Sequence, residues 1–139
     1  MGESENNSKG ATGPAEMLLG PVSELAPDRS RLRVLCRMEG ASMVHFELGP
    51  HEVSRAVVHR TVDEIWYVLG GRGTIWREFA GKATETEMLP GLSLTLPVGT
   101  RFQFRNSGAD ALAVLGVTVP PWPGVGEAVP VAGPWKASV

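Results

Sequence analysis

His59 and Glu64 are the side chains in this sequence whose types and proximity best suit acid–base chemistry. An imidazole titrates near neutrality, and a carboxylate beside it can orient the ring. The pair can therefore act as general base and acid on a ligand held in a dry pocket, in enolisation, epimerisation or cyclisation. The same two residues also read as a leftover buried pair without a chemical task, because an interior Glu is tolerated once it is partnered or protonated. Around them Val57, Trp66, Phe102 and Phe104, with Trp76 on the neighbouring strand, supply apolar and aromatic groups. Mostly apolar walls with a few polar anchors are the composition of a small-molecule site. Arg101, Gln103 and Arg105 alternate with the two phenylalanines and are expected to face solvent or a partner, as are Arg55, Arg60 and Arg72. An arginine near the pocket mouth would suit a carboxylate or phosphate, since its planar fork binds such groups bidentately. The lone Cys36 can form no internal disulfide and is given no role.

Strands must position these groups. After residue 16, Gly or Pro recurs about every ten residues, and the intervening runs alternate in polarity rather than repeat at helical spacing. Leu32, Val34, Cys36 and Met38 fall on one face with Arg31, Arg33 and Arg37 opposite. Val44, Phe46 and Leu48 follow after a Glu39-Gly40-Ala41 turn. These two strands read as an outer hairpin in which Glu47 lies across from one of the arginines. Further strands are expected at 54–60, 64–69, 73–79, 84–88, 93–96, 101–106 and 111–119. A single helical turn at most is expected near Pro21 to Leu25. The class is all-β.

The composition bounds the function. The chain has 139 residues, 13 basic and 15 acidic side chains and a net charge of -2, with the basic residues scattered. That is one domain with no footprint for a phosphate backbone or anionic lipid, so neither nucleic-acid nor membrane binding is expected. No run reaches membrane-spanning length, and the polar N-terminus lacks an apolar signal region, which predicts a cytoplasmic protein. The Met1-Gly2 start does not continue into a myristoylation motif, because Asn6 stands where Ser or Thr is wanted. Residues 1–16 lack aromatics and are expected to be a disordered tail ahead of a barrel over 17–119. The Pro-dense stretch 120–139 carries Trp122 and Trp135 and reads as an extended strap packed on the barrel or on a second subunit. Its Pro120 to Pro123 spacing also fits a ligand for an SH3-like domain.

Two motifs add a family resemblance. Gly91, Pro97, Gly99 and Asn106 match four of the five fixed positions of the second cupin signature, G-x5-P-x-G-x2-H-x3-N. His59, Glu64 and Gly71 match the second half of the first, G-x5-H-x-H-x3/4-E-x6-G. The chain resembles a small single-domain cupin, with the likeness running over about residues 30 to 119. The resemblance implies a double-stranded β-helix, or jelly-roll barrel, with a pocket at one end, and a homodimer. Independently of the resemblance, Gly70, Gly71 and Gly73 read as a tight hairpin after Leu69, and Pro97 to Gly99 as a turn.

The family's metal positions fall here on Val57, His59, Glu64 and Phe102, so two of four ligands survive. Asp63, Thr61, His51 and Arg101 are the polar groups nearest in sequence to the vacated positions. None repairs the set: Thr is a poor ligand, Arg is no ligand, and strand alternation turns Asp63 away from Glu64. No cofactor is therefore expected. Should a divalent metal bind (iron, manganese, zinc or nickel), His59 and Glu64 would be its ligands. The function expected is a small-molecule-binding cupin with an apolar pocket. The alternative is a cupin enzyme, an isomerase, epimerase, cyclase or dioxygenase-like protein, using His59 and Glu64.

Overall fold

The computed structural model describes residues 13–139. The tail expected over 1–16 falls largely on 1–12, outside the described residues; residues 13–16 are exposed and without regular structure. The described residues form strands and no helix: β1 (Glu24–Leu25), β2 (Arg31–Arg37), β3 (Ser42–Leu48), β4 (Val57–His59), β5 (Asp63–Gly70), β6 (Gly73–Phe79), β7 (Lys82–Met88), β8 (Ser93–Leu96), β9 (Arg101–Asn106), β10 (Leu112–Val119) and β11 (Ala128–Pro130). All pairings are antiparallel. One sheet has the order β1-β2-β3-β10-β5-β8 and the other β11-β4-β9-β6-β7. Closing two such sheets on each other is the jelly-roll solution to covering apolar faces, and this is the double-stranded β-helix architecture.

Alternation along the strands decides what faces inward. On β5 the exposed residues Asp63, Ile65, Tyr67 and Leu69 alternate with the buried Glu64, Trp66 and Val68. On β10, Leu112, Val114, Gly116 and Thr118 are buried or inward-facing in the same way. Phe46, Leu48, Trp66, Ile75, Met88, Phe104 and Leu112 belong to one core between the sheets. The expected β2–β3 hairpin is present, and Arg33 bonds Glu47 at 3.1 Å.

Three local expectations change. The helical turn near Pro21 to Leu25 is instead β1, held to β2 by the Ser23 backbone N–H donating to the Leu32 carbonyl. No hairpin follows Leu69, because β5 and β6 lie in different sheets. The chain crosses between sheets where Gly71 has a φ of 88° and passes Ala111, and a Cβ at Gly71 would collide with the Ala111 carbonyl oxygen. Third, Gln103 points outward as expected but is buried, because the C-terminal chain lies over it. Its amide donates to the Ser54 and Trp135 carbonyls at 2.8 and 2.9 Å and accepts from the Trp135 N–H at 3.1 Å. Arg105 stacks 4.1 Å from the Trp135 ring, and β11 joins the edge of β4.

Candidate functional site

One end of the barrel holds a cavity of about 170 Å³ between the two sheets. Both sheets contribute: Val57 and His59 come from β4 and Phe102 from β9, while Phe46 comes from β3, Glu64 and Trp66 from β5 and Thr118 from β10. Trp66 is the central ring. Its centroid lies 4.7 Å from Phe46, 5.5 Å from Phe102 and 5.1 Å from Phe104, all in edge-to-face arrangement. Such contacts add to area burial and hold each ring in one orientation.

His59 Nδ1 stands 3.4 Å from Glu64 Oε1, without the alignment of a hydrogen bond. Burial lowers the His59 pKa to about 4, with the carboxylate of Glu127 opposing. Burial raises that of Glu64 to about 8. The nearby Trp66 indole N–H, though not aligned for a hydrogen bond, opposes the rise, and the Asp28 carboxyl reinforces it. At neutral pH the pair is a neutral imidazole beside a neutral carboxylic acid, a proton acceptor beside a donor. Room for the acid comes from Gly116, where a Cβ would sit 2.9 Å from Glu64 Oε2 and 3.1 Å from Phe46.

Of the residues singled out in the sequence, Val57, His59, Glu64, Trp66 and Phe102 meet around the cavity. Phe104 is fully buried one layer deeper, behind Trp66. Trp76 does not join them. It pairs with Gln103 on the outer face of β6, because Gly73 and Ile75 hold the inward positions opposite Asn106 and Phe104. Other cavity residues were not visible from the motifs. Trp122, from the C-terminal strap, stacks edge-on at 5.0 Å from His59 and closes one wall. Its backbone N–H donates to Ser42 Oγ at 3.0 Å. Asp28 also lines the cavity, accepting from Ser30 N–H and Oγ–H at 3.0 and 2.7 Å, and burial raises its pKa. The Pro27-Asp28-Arg29-Ser30 turn was the available signal, since Asp commonly bonds the backbone two residues on.

Glu127 also belongs to the strap. It accepts from Thr61 N–H and Oγ–H at 2.6 Å each and from Val62 N–H at 3.0 Å, fixing the β4–β5 loop between His59 and Glu64. Burial pushes its carboxyl up, but these hydrogen bonds outweigh burial and hold the pKa below the ordinary value.

The four positions of the sequence motifs that would carry a metal hold one imidazole, one carboxyl and two apolar side chains. Val57 and Phe102 are direct partners across β4 and β9. Among the described residues no group of three or more His, Cys, Asp or Glu stands where it could hold an ion. This donor set does not fit the three or four protein ligands that first-row metals require.

Residues 44–118 match the family model described as a cupin domain. Curated proteins give no match to the sequence. Among solved structures, KdgF from Halomonas sp. superposes with a TM-score of 0.63 at 17% identity, covering 75% of this chain and 89% of that one. An uncharacterized conserved protein with a double-stranded beta-helix domain from Klebsiella pneumoniae gives 0.64 at 15% identity, covering 81% and 92%. TT1209 from Thermus thermophilus gives 0.59 at 22% identity, covering 73% and 92%. At these identities the likeness shows the shared barrel fold.

Proposed function

We propose that this chain, which belongs to the cupin family, is a small-molecule-binding barrel whose ligand occupies the aromatic cavity in place of the family's metal centre. One observation carries the reading. Among the described residues, four buried side-chain polar atoms make no hydrogen bond, and three of them, Arg37 Nε, His59 Nδ1 and Trp66 Nε1, belong to residues lining this cavity. An unpaired buried polar group costs about 1–3 kcal/mol; His59 Nδ1 and Trp66 Nε1 both stand near the Glu64 carboxyl without being aligned with it, so the three mark one space whose polar wall is incompletely satisfied. Its volume suits one ring, since an apolar cavity of about 150 Å³ takes up benzene.

The test uses the four tryptophans as reporters. Titration with single-ring compounds, followed by the indole N–H signals in nitrogen-15 spectra, is expected to move Trp66 and Trp122 and leave Trp76 and Trp135 in place. No movement of Trp66 at millimolar ligand sinks the reading.

The neutral acid–base pair favours a second reading, a proton-transferring enzyme of the isomerase, epimerase or cyclase type acting through His59 and Glu64. His59→Ala separates the two. A binding protein keeps most of its affinity, whereas an enzyme loses turnover by about 10²- to 10⁴-fold.

The reading includes a homodimer in the cytoplasm. Its support is the outer face of the larger sheet, where Met43, Val117 and Ile65 stand side by side across β3, β10 and β5, with Leu115 and Tyr67 in a neighbouring row. Met43, Ile65 and Tyr67 are exposed. Ile65→Lys is expected to give monomers in sedimentation if this face is the interface.

A further inference from the structure

β2 carries three arginines with different surroundings. Arg31 bonds Glu52 at 3.2 Å and Arg33 bonds Glu47 at 3.1 Å, so each has its own carboxylate. Arg37 forms no ion pair among the described residues, and its buried Nε has no hydrogen-bond partner there. Simple alternation would put Arg37 beside Arg31 and Arg33 on the outside. The β2–β3 register shifts between Val34 and Arg37, and past that irregularity Leu35 and Arg37 join Val34 in lining the cavity. A β-bulge re-aims side chains in this way. The result is one arginine with no ion-pair partner among the described residues on the wall of a cavity that is chiefly rings and aliphatic groups and also carries Glu24, Asp28 and Glu64.

A guanidinium recognises planar oxyanions through paired N–H donors, and the interaction strengthens where surrounding apolar groups exclude water. The cavity supplies the rest of a binding pattern. Phe46, Trp66, Phe102 and Trp122 flank a flat apolar body, while Trp66 Nε1 and the His59–Glu64 pair offer a donor, an acceptor and an acid for a second polar group on the ligand.

We propose that Arg37 is the anion anchor of this cavity and that the ligand is a small monocarboxylate with an apolar, ring-sized body. The inference rests on the binding reading above and narrows it to a chemical class. A single negative charge suits the site better than a phosphate's two, because Arg37 is the one Lys or Arg among the residues lining the cavity and balances one charge.

Benzoate, benzamide and phenyl phosphate serve as probes of nearly one size that differ in charge. Calorimetric titration of the wild-type protein is expected to show benzoate binding about 10- to 100-fold tighter than benzamide, the range for a hydrogen-bonded charge. Arg37→Gln is expected to erase that difference by weakening benzoate far more than benzamide, and Arg37→Lys to restore part of it. Unshifted melting temperatures will show that both variants fold; the wild-type comparison needs neither. Equal binding of benzoate and benzamide overturns the carboxylate anchor and leaves the binding reading standing. Preference for phenyl phosphate overturns the carboxylate class. Failure of all three to bind at millimolar concentration overturns the inference together with the reading beneath it.

Discussion

His59 Nδ1 and Glu64 Oε1 are 3.4 Å apart, yet burial drives their titrations in opposite directions, to about 4 and about 8, so the contact joins two neutral groups. Stability then depends on pH in a specific way. From pH 4 to 6.5 the unfolded chain holds a proton on His59 that the folded chain lacks, and stability rises with pH. From pH 4.5 to 8 the folded chain holds a proton on Glu64 that the unfolded chain lacks, and stability falls. The contributions of His59 and Glu64 cancel between 4.5 and 6.5, while His45, whose pKa burial also lowers, adds a rise below 6.5. Above 6.5 the His59 contribution is spent, and Glu64 by itself contributes a loss of about 2 kcal/mol by pH 8 at one proton per pH unit, to which a proton held by the buried Asp28 carboxyl adds in the same direction. Urea unfolding across this range should show that fall in the wild type. Glu64→Gln should remove most of it, with Glu64→Gln/Asp28→Asn removing the rest, and His59→Asn should make it begin near pH 4.5. A wild-type profile flat from 6.5 to 8 and parallel to Glu64→Gln would mean that Glu64 is ionised in the folded protein.

Gly116 is the residue that lets the acid in. An added Cβ would meet Glu64 Oε2 at 2.9 Å, Phe46 at 3.1 Å and Val44 at 3.4 Å. Gly116→Ala is expected to cost about 1–3 kcal/mol, as overpacking of a formed core does. Combined with Glu64→Ala, part of that cost should vanish, with a coupling of at least about 0.5 kcal/mol in a double-mutant cycle. Strict additivity would show that the strain falls on Phe46 and Val44 alone.

The parts of this site that could be read in the sequence are those fixed by strand alternation and motif spacing. Val57, His59, Glu64, Trp66 and Phe102 sit two apart along single strands or at motif positions, and the fold brings them together. The same alternation misled at Trp76, because nothing in the β6 sequence says whether Ile75 or Trp76 starts the inward phase. It misled at Arg37 because the register shift that turns this side chain inward depends on pairing with β3. Trp122 and Asp28 reach the cavity from outside the central strands, by contacts across more than 60 residues in the one case and through a turn in the other. The Asp28 turn itself has a local signature, but where it and Trp122 come to rest is a property of the closed barrel.

Trp122 closes the wall over His59, so its removal should admit water to the ring. Trp122→Ala is expected to raise the His59 pKa from about 4 toward its ordinary value of 6.5, because desolvation is the largest cause of the shift. Imidazole chemical shifts followed through a pH titration would measure this directly. An unchanged midpoint would assign the desolvation to Phe102 and the barrel wall instead.

Val57 and Phe102 face each other across β4 and β9, and the Phe102 ring centroid is 5.2 Å from that of His59. Imidazoles at both positions would stand beside the existing His59 and Glu64, raising the donors from two to four. The double variant Val57→His/Phe102→His is therefore expected to take up a divalent ion near one equivalent, read by plasma mass spectrometry and by a rise in melting temperature with zinc or nickel. The apo form of the variant should be less stable than wild type by about 3 kcal/mol or more, since an aromatic and a valine leave the packed wall. Metal would recover part of that loss, because binding only to the folded chain adds its free energy to folding. Glu64 must then ionise, so uptake should weaken as pH falls below the raised titration of its carboxyl. A folded double variant that stays metal-free at millimolar zinc would show that the backbone no longer presents these four positions as a coordination sphere, and would place the departure from the family in the strand geometry rather than in the side chains alone.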